Sequence, residues 1–195
     1  MSITKITTNG LTGTKYDTVS ADNYYMEPIA TTLLSGTSSA ITFSNIPQNY
    51  KNLQVRMLAQ ETRATYGVGG FTMQYNSDTG SNYSQHLLYG DGASAIAAAG
   101  ASQSSMLTGY AGTNTGGTFS GVIIDILDYA NVYKYKTSRS LFGVDLNGTV
   151  GGIGGYVGMA SGLWMNTAAI TSIVLTPSFS PFTANSRFSL YGIKG

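Results

Sequence analysis

Apolar and polar residues alternate with a period of two along most of this chain. No stretch of ten or more positions carries apolar residues at the i, i+3, i+4, i+7 spacing of a helix. Leu53, Val55, Met57 and Ala59 alternate with Gln54, Arg56 and Gln60, and Phe71, Met73 and Tyr75 alternate with Thr72 and Gln74. Tyr133, Tyr135 and Leu141 share one parity, while Lys134, Lys136, Ser138 and Ser140 share the other, as suits a sheet that is wet on one side. Further runs cover 29–34, 40–43, 83–89, 106–110, 119–127, 156–163, 170–176 and 188–193. Turn clusters such as Asn45-Ile46-Pro47, Asn76-Ser77-Asp78-Thr79-Gly80 and Asn147-Gly148 separate them, so roughly eleven strands are expected. The four prolines, Pro28, Pro47, Pro177 and Pro181, fall at strand ends or between runs, where no ladder donor is lost. The Ala-rich stretch Ala93 to Ala101 is broken by Gly100 and has no polar face, and it reads as a long loop or weak turn. The expected fold is all-β, an antiparallel jelly-roll-like β-sandwich over residues 26–195. Residues 1–25 are polar and Thr-rich, contain Gly10 and Gly13, and read as an extended N-terminal arm.

Composition narrows the function classes. Of 195 residues only 10% are charged, against roughly 25% in an average chain, and 10 Lys plus Arg face 9 Asp plus Glu for a net charge of +1. Nucleic-acid binding through phosphates and attraction to anionic membranes both scale with excess basic charge, so neither partner is expected. The absence of cysteine excludes disulfides, thiolate metal sites and thiol nucleophiles. The N-terminus MSITKITTNG lacks the apolar core of a signal peptide, so a soluble, unprocessed chain is expected. With charge so scarce, edge strands lack the usual Lys protection against pairing. A symmetric oligomer that covers those edges is the expected remedy.

Chemistry-bearing residues are few. His86 is the single histidine, and with no G-x-S-x-G elbow in the chain it reads as a strand-face or interface residue. Asp125 falls within a strand and Asp128 begins the turn before Asn131, and a three-residue spacing along a strand points them to opposite faces and unsuits them as a glycosidase pair. Glu27 and Glu61 are the only glutamates, and Glu61 beside Arg63 reads as a solvated charge. The 76–82 loop alternates oxygen-bearing side chains, but no bidentate Glu follows, so an Asx turn is expected rather than a metal site. Gly151 to Gly158 departs from the phosphate-loop spacings and reads as a hairpin connection or a close backbone contact. The sequons at Asn82 and Asn147 carry little weight without a secretory signal. No catalytic, cofactor or metal residues are therefore assigned.

Tyrosines remain, since exposed rings stack on sugars and anchor interfaces. Tyr75, Tyr83, Tyr129 and Tyr133, on loops or at their margins, are the candidate glycan or interface contacts. Four segments also carry a resemblance: 41–53 (ITFSNIPQNYKNL), 75–83 (YNSDTGSNY), Leu163-Trp164 with 166–173 (NTAAITSI), and 188–193 (FSLYGI). In their order and spacing they resemble a group of tailed-bacteriophage virion surface proteins, cyanophage types included, described as tail-fibre or minor structural proteins. The resemblance spans about residues 27–193. It implies a homotrimeric jelly-roll-like sandwich on the virion surface, without enzymatic activity or cofactors. A capsid decoration or cement protein on the outside of the head is favoured, because the chain is too short for a fibre shaft. A tail-fibre or receptor-binding protein for host-surface glycans is the alternative. Residues 1–25 would then meet the major capsid protein or a tail adaptor. Trp164, Ile170, Ile173, Leu190 and Tyr191 are expected in the sandwich core.

Overall fold

The structure is a computed structural model that describes residues 25–64, 67–113, 117–147 and 154–195. The expected arm therefore lies outside the described residues, apart from Tyr25. Twelve strands are present among those described: β1 (Met26–Leu33), β2 (Ile41–Phe43), β3 (Asn52–Glu61), β4 (Val68–Tyr75), β5 (Tyr83–Gly90), β6 (Ala95–Gln103), β7 (Met106–Thr113), β8 (Ser120–Leu127), β9 (Lys136–Asp145), β10 (Gly155–Trp164), β11 (Ile173–Pro177) and β12 (Arg187–Ile193). The fold is all-β, as expected, and is compatible with a jelly-roll-like sandwich.

One continuous ladder connects all twelve strands and doubles over into two layers. The wide layer has the order β1-β12-β3-β8-β9-β10-β5-β6. The narrow layer has the order β2-β11-β4-β7. Pairing is antiparallel except at the fold-over, where Gln60 and Glu61 run parallel to Gly112 and Thr113. The sheet is thus mixed rather than purely antiparallel. Residues Ala59, Gln60 and Glu61 are all buried, because the end of β3 passes from one layer into the other and loses its solvent side.

Between the layers, Leu53, Val55 and Met57 of β3 meet Val122, Ile124 and Ile126 of β8 and the inward residues of β4, β7 and β11. Trp164, Ile170, Ile173 and Leu190 are buried as expected. Tyr191 is not a core residue: it faces the outside of the wide layer, where the Arg56 guanidinium lies 5.4 Å from its ring centroid.

Two strands depart from the sequence pattern. Ala95–Gln103 is strand β6, paired with β5 through Leu88↔Ala97 and His86↔Ala99, and not a loop or weak turn. Alanine has little β-preference of its own, so this strand exists through its partner's ladder. In β9 the polar parity is the buried one: Lys136, Ser138 and Ser140 face inward while Leu141 faces out. Phe142 and Val144 share that inward parity and fix it. The polar groups are satisfied, with Lys136 Nζ donating to the Lys134 and Thr167 carbonyls (2.9 and 2.8 Å), Ser140 Oγ to the Thr108 carbonyl, and Ser138 Oγ to Met106 Sδ.

Trp164 lies edge-on to Tyr75 (5.6 Å between centroids) and stacked on Tyr83 (6.3 Å). Trp164→Ala is expected to cost about 3–5 kcal/mol. Tyr83→Phe, which strips only a buried hydroxyl, should cost about 1 kcal/mol. Urea denaturation of both variants checks the placement; a wild-type midpoint for Trp164→Ala would refute it.

Candidate functional site

Three of the four candidate tyrosines belong to the core, which corrects the expectation that they are surface contacts. Tyr75, Tyr83 and Tyr129 are fully buried. The Tyr83 hydroxyl accepts from the Tyr75 amide (3.0 Å) and lies against the Asp78 carbonyl (3.1 Å), and the Tyr129 hydroxyl donates to the Pro47 carbonyl. Rings buried in this way have no face left to offer a sugar. Tyr133 is different: it is 89% exposed, beside exposed Val132 and Tyr135 on the loop joining β8 to β9.

The 76–82 loop is a structural hub. Asp78 Oδ2 accepts from Trp164 Nε1 (2.8 Å) and Asn82 Nδ2 (2.9 Å), and Oδ1 accepts from the Gly80 amide (2.9 Å). These bonds, that of Trp164 foremost, hold the Asp78 carboxyl below the usual carboxylate range. Its oxygens are thereby committed to the turn. The Asn76 carboxamide closes the same end of the sandwich, accepting from the Thr171 and Ser172 amides and donating to the Ala169 carbonyl. Among the described residues no group of three or more His, Cys, Asp or Glu could hold a metal. The Asn82 sequon amide is occupied by Asp78, and the Asn147 sequon and the glycines up to 153 fall largely outside the described residues.

The acids are likewise dispersed. Asp128 sits in a turn, paired with Lys51 (2.7 Å) and Lys134, and these two cations, Lys134 first, hold its carboxyl at about 2. Asp125 lies on the outward face of β8, bonded to Gln54 and Arg139. Glu27 pairs with Lys194 and accepts from the Tyr50 hydroxyl (2.8 Å). Glu61 corrects the expectation of a solvated charge. It is fully buried at the fold-over, and desolvation pushes its carboxyl up to about 7, against opposing contributions from the Arg63 charge and the Ser180 amide. That amide only tempers the shift, since neither carboxylate oxygen completes a hydrogen bond by geometry among the described residues. The Thr113 and Ser120 hydroxyls are buried without a partner in the same way.

What remains is a surface, the outer face of the wide layer. In register across five strands stand Arg56, Ile123, Leu141, Met159 and Leu88, followed by Ala97 of β6. Leu141 is 58% and Met159 56% exposed. On one side of this apolar ridge lies a trough floored by the paired Gly121 and Gly143, walled by Leu58 and Val157, with a volume of about 670 Å³. A side chain added at either glycine would meet nothing within 4 Å. On the other side a groove of about 740 Å³ is lined by His86, Ser161, Arg139, Asp125 and Gln54. His86 is thus a sheet-face residue, as its place in the sequence suggests. Alternation flagged these strands, but no signal in it tells an outward Leu from an inward one.

No model of a known protein family matches the chain, and no curated protein is found to be its relative.

The buried carboxyl generates a pH signature. Glu61 ionises near 4.5 when solvated and at about 7 in the fold, so between these values the folded chain binds more protons than the unfolded one. The Glu61 contribution to stability should be full below about pH 4.5 and fall by roughly 3 kcal/mol as pH rises through 7. Glu61→Gln should remove most of that slope. Urea titrations at pH 5 and pH 8 read the difference, and equal slopes in variant and wild type would refute the assignment.

Proposed function

We propose that this chain is a non-enzymatic structural protein of a tailed-phage virion, a homotrimer that decorates and cements the outer surface of the head. The observation that carries this reading is the row of exposed apolar residues across the outer face, Ile123, Leu141, Met159 and Leu88, on a chain whose net charge is +1. Such a surface is suited to being covered by protein and offers little to charged substrates.

The residues behind the family resemblance support it in a second way, because the four separated segments pack on one another. Strand β11 pairs Ile173 with both Phe43 and Tyr75, the Met165 amide donates to the Asn82 carbonyl (2.8 Å), and the Ile46 amide donates to that of Thr171 (3.1 Å). Gly192 lies beneath the Tyr50 ring so closely that a Cβ there would collide with it. A motif set dispersed in sequence but joined in space behaves as one structural unit. Cementing then works by burial: the 1–25 segment lies along or adds strands to neighbouring capsid subunits, and many neutral contacts staple the shell.

The exposed Val132, Tyr133 and Tyr135 favour a second reading, a tail-fibre or receptor-binding protein that stacks these rings on host-surface glycans. Immunogold labelling of intact particles separates the two. Label on heads, with lowered heat or chelator tolerance of heads stripped of the protein, is expected for cementing. Label on tails, with cell binding lost in Tyr133→Ala, would replace cementing by receptor recognition.

A further inference from the structure

We infer that the outer face of the wide layer, with its β6 margin, is where a second copy of this chain docks. The inference rests on the self-association part of the reading above and is independent of where on a particle the protein sits.

Three observations select a copy of the same chain as the occupant. The first is size. Eight strands about 4.8 Å apart and about 20 Å of strand length give a face of roughly 700 Å² in projection. A stable interface buries about 800 Å² per partner, so this corrugated face is of sufficient area.

The second is shape. The polar groups on the face are already joined to one another. Arg56 Nε donates to Gln54 Oε1 (2.7 Å), Gln54 Nε2 to Asp125 Oδ1 (2.8 Å), and Arg139 Nε to Asp125 Oδ2 (3.2 Å). Asp125 offsets Arg139, and Arg56 and Arg187 stand at the trough wall, so the uncharged part of this region is the ridge of Ile123, Leu141, Met159 and Leu88 itself. An uncharged apolar ridge is matched by a recess of similar shape, and the chain itself provides one. The ridge of Ile123, Leu141 and Met159 stands beside an open glycine trough of about 670 Å³, so one surface holds both a projection and a recess.

The third is β6. Its sequence, AIAAAGASQ, carries no charge and no proline, its residues are exposed or half-buried on both faces, and its outer edge pairs with nothing among the described residues. A long, uncharged edge of this kind, regular from Ala95 to Gly100, is a template for another chain. It is continuous with the ridge through Leu88↔Ala97. A glycan is less well matched, because the ridge is aliphatic and offers no ring for stacking.

The test uses the full chain. Light scattering should give three times the 20.5 kDa chain mass for the wild type. Leu141→Glu with Met159→Glu should reduce it to a single chain mass with an unchanged far-UV spectrum, since both side chains are exposed in the monomer. A wild-type oligomer that survives this double change overturns the inference and leaves the trimer standing. A monomeric wild type overturns both. Because the chain has no cysteine, Leu141→Cys supplies one thiol whatever the stability of the double variant. Its reaction with maleimide should be at least tenfold slower than that of Tyr133→Cys, and should speed up on dilution to monomer. Equal rates overturn the inference. So does protection that persists in a monomer, which would mean that the chain's own 1–24 segment covers the face.

Discussion

An eight-stranded layer has about twice the breadth of the four-stranded layer it packs on, so its margins and its far face stay outside the core whatever residues they carry. The two margins meet this constraint differently. At β1, Pro28 removes a ladder donor, a register shift follows between Pro28 and Ala30, and Glu27 is bonded to Lys194 and Tyr50. These are devices that blunt an edge. At β6 there is neither proline nor charge, the one register shift lies at its end between the Tyr83↔Gln103 and Gln85↔Gly100 pairs, and a strand of alanines projects past β5 with both faces open.

The far face follows from the register of β9. A period-two strand can turn only one parity inward, and a slip of one residue would exchange the two faces. With Ser138 and Ser140 buried, Phe142 and Val144 enter the core, and Leu141 must stand outside. The opposite register would bury Leu141 and release Lys136, but it would bring Arg139 and Asp145 into the core and expose Phe142 and Val144, a loss that outweighs the gain. One choice of register therefore accounts for both the polar seam inside the sandwich and the apolar ridge outside it. The seam is tolerable because Lys136, Ser138 and Ser140 all find acceptors.

Strands were legible in the sequence wherever β-branched or large apolar residues alternated, as at β3, β4, β8 and β10. Strand β6 was not, because alanine and glycine carry neither alternation nor β-preference, and only the ladder of β5 reveals it. Tyrosine placement was illegible for a related reason. Whether Tyr75 and Tyr83 face solvent is decided by Trp164, some eighty residues away, and by Asp78, whose carboxylate holds the indole. One clue was available. Tyr75 and Tyr83 flank an Asx-rich loop and each ends or begins a strand, so both can turn inward where the connection closes over the core. Glu61 next to Arg63 looked like a surface pair because adjacency suggests pairing, whereas the passage of β3 between layers buries the acid.

Burial without strong charge also shapes how this protein can associate. With 10% of residues charged and a net charge of +1, long-range attraction and repulsion between copies are both weak, and salt has little to screen. Association must then come from short-range burial, which is strong only where two surfaces fit closely. A neutral rod or globule with evenly scattered apolar residues would aggregate without register. Here Ile123, Leu141, Met159 and Leu88 form one ridge across adjacent strands, bordered by an internally bonded polar row that fits only partners able to leave it undisturbed. Specificity in such a chain is therefore carried by shape and by the position of a few satisfied polar groups, and not by charge.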